Sequence, residues 1–173
     1  MKNINKENMQ EFLERLGRRY PKPAKLYLLG GSALILLGST RDTLDIDYVG
    51  DDIQKDDFQI MIEETATELE LESEAVPIDR FIPLPEGNEN RSIFIGEYGN
   101  INVYVIDPYS IALSKIDRGF DTDLEDVVFL IQHKQIKIEE LEKIIKDGLS
   151  RAGKFDFHPE ILAHFEGLQK RLK

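Results

Sequence analysis

The stretch from Leu26 to Val49 limits what this chain can become more than any other. Leu26, Tyr27, Leu28 and Leu29 form an apolar run that halts at Gly30-Gly31, as a buried strand entering a tight turn does. Ser32 opens a short helical stretch over Ala33, Leu34, Ile35, Leu36 and Leu37, and Gly38 ends it. A second strand runs from Leu44 to Val49. Its alternation sets Leu44, Ile46 and Tyr48 on one face and Asp45, Asp47 and Val49 on the other. Two carboxylates on one face of an apolar strand repel each other unless a positive charge lies between them. Mg²⁺ meets that need, because it takes oxygen ligands and is commonly held by one or two carboxylates plus substrate phosphates. The Gly-Gly-Ser turn is the complement. Bare glycines let a phosphate approach the backbone, and a helix start offers N–H groups. An Asp-x-Asp pair by itself also fits a strand end facing water; the turn just upstream favours the metal reading.

Composition narrows the class further. A chain of 173 residues suits one domain, or one domain with a helical appendage, and 41% apolar residues are enough for a packed core. There is no cysteine, which excludes disulfides, zinc–thiolate sites and cysteine nucleophiles and fits a reducing compartment. The opening residues MKNINKENMQEF lack the apolar region of a signal peptide, and no run is long enough to cross a bilayer. The expected location is therefore cytoplasmic, with no membrane partner. A net charge of −11 repels polyphosphate backbones, so general DNA binding is not expected. One nucleotide held through a metal remains compatible with that charge.

Along the chain, Asn5 to Tyr20 reads as an amphipathic helix with Met9, Phe12, Leu13 and Leu16 on one face, ended by Pro21 and Pro23. Asp56 or Asp57 caps a second long helix reaching Leu69, whose glutamates form a solvated face. Arg80-Phe81-Ile82 is expected as a short strand, followed by a loop through Pro83, Pro85 and Gly87. Ser92 to Tyr98 and Ile101 to Ile106 read as a hairpin turning at Gly99-Asn100. Asp107-Pro108 then starts a run of helices: one through Ile116, then Asp121 to His133, Ile138 to Leu149 and Pro159 to Leu172. Asp123 and Asp126 are expected to cap and orient the second of these. His133, His158 and His164 are not spaced as metal ligands.

Leu29-Gly30-Gly31, followed by Leu44-Asp45-Ile46-Asp47-Tyr48, resembles the signature of the nucleotidyltransferase superfamily whose fold is shared with the palm of DNA polymerase beta. The wording from Gly30 to Ala33, then Arg41, Thr43 and the aspartate pair, is similar to bacterial AbiEii-type toxins and to related uncharacterised nucleotidyltransferase-like proteins. A second block, Asp107 to Val127, matches those families at Lys115, Arg118, Asp123, Leu124 and Asp126. The resemblance covers Leu26 to Leu130.

The resemblance implies an α/β (α+β) fold: a minimal nucleotidyltransferase mixed sheet with flanking helices in residues 1–107, and a helical C-terminal region, 108–173, packed on it. It implies metal-dependent transfer of a nucleoside monophosphate from a nucleoside triphosphate to a hydroxyl of a tRNA or protein acceptor. A toxin–antitoxin setting with a cognate protein partner goes with it. Asp45 and Asp47 would hold Mg²⁺ or Mn²⁺, with Lys115 completing the catalytic set. Gly30, Gly31, Ser32 and Arg41 would contact the nucleotide; Arg41 alternatively pairs with a local acid such as Asp42. The family also has a third carboxylate on a later strand. Ile101 to Ile106 is the expected strand, and it carries Asn102 where an acid would stand, facing Asp45 and Asp47 from an adjacent strand. Asp107 is the nearest acid, better explained as a helix cap, and Asp79 is a weaker candidate. Without a third acid, the alternative is a catalytically weakened fold that binds nucleotide or a partner protein.

Overall fold

The computed structural model describes residues 1–151, 153 and 155–173. They form two compact units: Met1–Pro77 with Ser92–Ile106, and Ile78–Arg91 with Asp107–Lys173. Among the described residues there are eight α-helices and a five-stranded mixed sheet, as the α/β expectation requires. No described helix is long and apolar enough to cross a membrane.

The first unit begins with α1 (Lys6–Arg19). The Asn5 side chain accepts from Asn8 N–H at 3.0 Å, and Asn8 returns the bond to Asn5 N–H at 2.8 Å. Two orphan amides of the helix start are thereby satisfied. Next come β1 (Ala24–Leu29), α2 (Gly30–Leu36), β2 (Asp45–Val49), α3 (Asp57–Glu68) and β3 (Glu72–Val76). The hairpin β4 (Ile93–Tyr98) and β5 (Ile101–Val105) closes the unit. Asp56 caps α3 by accepting from Gln59 N–H at 2.8 Å. The strand order is β3-β2-β1-β5-β4. β1 runs antiparallel to β2 and parallel to β5, and β2 runs parallel to β3.

Register divides the sheet into two unlike faces. Leu26, Leu28, Ile46, Tyr48, Ile101, Val103 and Val105 are buried on one. On the helices of this unit Met9, Phe12, Leu13 and Leu16 of α1 and Ile62 and Ala66 of α3 are buried too. Each buried Leu, Ile, Val, Phe or Met side chain among them contributes about 1.5–3 kcal/mol. A one-residue slip of any strand would turn its apolar set outward, so this core fixes the register. The opposite face carries Asp45, Asp47, Leu29, Tyr27, Lys25, Asn102 and Tyr104, most of them only partly buried.

Three expectations change. α2 starts at Gly30 rather than Ser32. Leu44 lies ahead of β2 and is 73% exposed, so it does not share the buried face of Ile46 and Tyr48. Arg80-Phe81-Ile82 is not a strand: α4 (Ile78–Phe81) is a single helical turn that leaves Phe81 exposed. The strand that does form between α3 and α4 is β3, which no apolar alternation announces.

In the second unit, α5 (Pro108–Arg118), α6 (Asp121–Gln132), α7 (Ile138–Ser150) and α8 (Ile161–Arg171) follow α4. Asp107 caps α5, accepting from Tyr109 N–H at 3.0 Å and from the Ser110 hydroxyl at 3.0 Å. Arg91 grips the same buried carboxylate through Nε at 2.9 Å and Nη2 at 2.7 Å. These bonds raise the pKa of the Arg91 guanidinium above its ordinary value against the opposing effect of burial. Asp107 is thus a cap and ion-pair partner.

Candidate metal and nucleotide site

Asp45 and Asp47 stand two residues apart on β2, both half-buried on the face opposite the core. β3 pairs with β2 in parallel and sets Glu74 abreast of Asp47. Carboxylate oxygens of Asp45, Asp47 and Glu74 all lie within 4.8 Å of one another. A third acid therefore joins the pair, and it comes from β3.

Asn102 does not hold that place. β1 lies between β2 and β5, so the two strands are not neighbours. Asn102 is abreast of Lys25, four residues before Leu29, while Leu29 is abreast of Asp47. Four residues of strand are about 13 Å. Continuing the register brings Ile106, an apolar residue, level with Leu29 and Asp47. Sequence reasoning missed Glu74 because residues 72–76 read Glu-Ser-Glu-Ala-Val, with no apolar stripe. The available signal was period-two alternation: Glu72 and Glu74 to one side, Ser73 and Ala75 to the other.

The glycine pair is explained by the close approach of Asp47 and Thr43. Gly30 has φ +65, in the left-handed region, and a Cβ there would overlap Asp47 Oδ2. A Cβ on Gly31 would overlap Thr43 Oγ1. The turn is bare because β2 and its approach run directly against it. Ser32 is fully buried and donates its hydroxyl to the Leu29 carbonyl at 3.0 Å; α2 has no side-chain cap. Gly30 and Gly31 are half-buried and keep exposed surface where Ser32 does not. Arg41 is exposed on the turn between α2 and β2, where its backbone N–H donates to Ser39 Oγ at 3.3 Å.

One step along the sheet from Leu29 and Asp47, on the same face, lies an aromatic row. Tyr27 stacks on Tyr104 with centroids 5.1 Å apart, and Phe94 meets Tyr104 edge-on at 5.5 Å. Register places all three abreast across β1, β5 and β4, and Phe94 is 57% exposed.

Lys115 belongs to the second unit. It is not a surface lysine: its ammonium is buried on α5 and donates to Asp126 Oδ2 at 2.7 Å, with Asp123 Oδ1 at 3.6 Å. Arg118 also bonds Asp123 Oδ1. Asp123 and Asp126 do not cap α6, whose N-cap is Phe120; they tie α6 to α5 through ion pairs.

A mixed sheet with an acidic pair on β2, a third acid on β3 and a glycine turn against them is the arrangement that the resemblance to nucleotidyltransferases leads one to expect. Residues 7–160 match the family model described as nucleotidyltransferase of unknown function (DUF6036), and the chain belongs to that family. No curated protein and no solved structure matches it.

Proposed function

We propose that the chain transfers a nucleoside monophosphate from a nucleoside triphosphate to a hydroxyl on a tRNA or protein acceptor. The observation that carries this reading is the convergence of Asp45, Asp47 and Glu74 beside the bare Gly30-Gly31 turn. Three carboxylates and no nitrogen or sulfur donor form an oxygen set that suits Mg²⁺ or Mn²⁺. Asp45, Asp47 and Glu74 would hold the ion, which supplies charge neutralisation at the phosphates and lowers the pKa of the attacking hydroxyl. Gly30 and Gly31 let the turn pack directly against Asp47 and Thr43, so the start of α2 would lie beside a phosphate held at those acids. Arg41 adds positive charge near the turn. Tyr27, Tyr104 and the exposed Phe94 offer aromatic rings against which a base could pack, about 7 Å along the strands from Asp47. Lys115 enters through the resemblance; within its own unit it ties α5 to α6. The resemblance to AbiEii-type toxins supports a toxin–antitoxin role with a cognate protein partner.

The test is incubation of the purified chain with each α-labelled nucleoside triphosphate, Mg²⁺ or Mn²⁺, and separated RNA and protein fractions of a cell lysate. Label should enter one fraction, and Asp45→Asn or Asp47→Asn should abolish it. The reading fails if no fraction is labelled and metal-dependent nucleotide binding is absent as well.

A further inference from the structure

Two histidines that the sequence keeps six residues apart meet in the second unit. The rings of His158 and His164 have centroids 4.8 Å apart, tilted by 42°. With Glu160 they offer two imidazole nitrogens and a carboxylate oxygen, all within 4.8 Å of one another.

Both histidines are anchored to the end of α5. His164 Nδ1 lies 2.7 Å from the Ile116 carbonyl. That contact is a hydrogen bond only when Nδ1 carries the proton and donates, which leaves Nε2 with its lone pair available. Histidine ligands of metals are oriented in the same manner, with the second nitrogen bonded to a carbonyl. The ring is also held by shape. Gly119, the left-handed C-cap of α5 at φ +73, packs so close that a Cβ there would overlap the imidazole. His158 is tethered by its backbone N–H, which donates to Asp117 Oδ1 at 2.8 Å. Its Nδ1 accepts from Glu160 N–H at 3.1 Å.

We propose that His158, Glu160 and His164 form a site for a borderline transition-metal ion, Zn²⁺ above all, distinct in chemistry from the carboxylate cluster of the first unit. Two imidazoles and a carboxylate are a zinc donor set, with the fourth position left to water. Mg²⁺ favours all-oxygen sets, so the two imidazoles select against it. A tetrahedral zinc site needs donors about 3.3 Å apart, given Zn–N bonds of about 2.0–2.1 Å. His158 and Glu160 are exposed, so their side chains can close the remaining distance. Loading exchanges the 3.1 Å bond at His158 Nδ1 for a metal bond. The cation also sits by the carbonyl end of α5, the negative end of its dipole. The bound ion would clip the start of α8 to the end of α5.

The experiment uses the full chain carrying Asp45→Asn and Asp47→Asn, so that the carboxylate cluster is disabled. Co²⁺ is titrated as a coloured substitute and then displaced by Zn²⁺. One equivalent should bind, give the intense visible bands of a low-coordinate nitrogen–oxygen site, and resist excess Mg²⁺. His158→Ala and His164→Ala should each weaken binding by about 10-fold or more, as loss of a ligand requires. Glu160→Gln changes an exposed side chain and should weaken binding while leaving the melting temperature in chelator unchanged. His133→Ala should leave binding as it was. Absence of a bound equivalent, or equal affinity in the parent and Glu160→Gln with both histidine variants, overturns the proposal.

Discussion

Two sets of aspartates in this chain meet opposite fates. Asp123 and Asp126 are buried, and each carboxylate has a cation on it: Lys115 on Asp126, Arg118 on Asp123. Asp45 and Asp47 are only half-buried, and the fold brings a third acid, Glu74, to join them. Charges neutralised from within the chain serve as rivets between helices. Charges gathered with more of the same sign make the local potential more negative, and the proposed metal ion would relieve it.

Breaking the internal set should cost the most stability. Lys115→Met leaves buried carboxylates without their ammonium partner, and a loss of about 3–5 kcal/mol is expected in urea unfolding. Adding Asp126→Asn to that variant should restore a large part of it, a coupling that a double-mutant cycle reads directly. A smaller structural effect is expected at the glycine turn. Gly30→Ala places a Cβ at φ +65 against the Asp47 carboxylate, so about 1–3 kcal/mol should be lost together with metal-dependent nucleotide binding. Asp45→Asn should do the reverse. It relieves repulsion, so the chelated variant should melt unchanged or slightly higher, while binding of nucleotide with Mg²⁺ falls by about 10-fold or more, as it should in Asp47→Asn. The smallest effect belongs to Asn102→Asp. With Lys25 and Glu97 abreast of it, the change should move stability by about 0.5 kcal/mol at most, equally in chelator and in excess Mg²⁺. A shift of opposite sign in the two conditions would return Asn102 to the site.

The elements with an apolar period were legible in the sequence. β1, β2, the β4–β5 hairpin and the long helices carry stripes that match the faces they bury, and Asn5, Asp56 and Asp107 announce their helices by capping chemistry. The parts that were not legible are those whose partners are set by topology. β3 is an edge strand with glutamates on one side, and an edge strand can stay polar because only one neighbour holds it. Which strand supplies the third acid depends on strand order, and β1 lying between β2 and β5 is a fact of chain path that no local window contains. The meeting of His158 with His164 has the same origin, since the end of α5 lies about forty residues away in sequence and brings them together. Lys115 was visible as a motif residue, but its burial was not, because its two partners come from the next helix.

We propose that Glu74 of β3 completes the carboxylate site. Mn²⁺ binding, read from the loss of the free-ion electron paramagnetic resonance signal, tests it in Glu74→Gln beside Glu97→Gln, which removes the same charge from the far end of the same sheet face. Glu74→Gln should weaken Mn²⁺ binding by about 10-fold or more, because a charged oxygen ligand becomes a neutral one, while Glu97→Gln stays within about twofold of the parent. Equal Mn²⁺ affinity in the parent and Glu74→Gln would contradict the account and leave Asp45 and Asp47 as the whole of the carboxylate site.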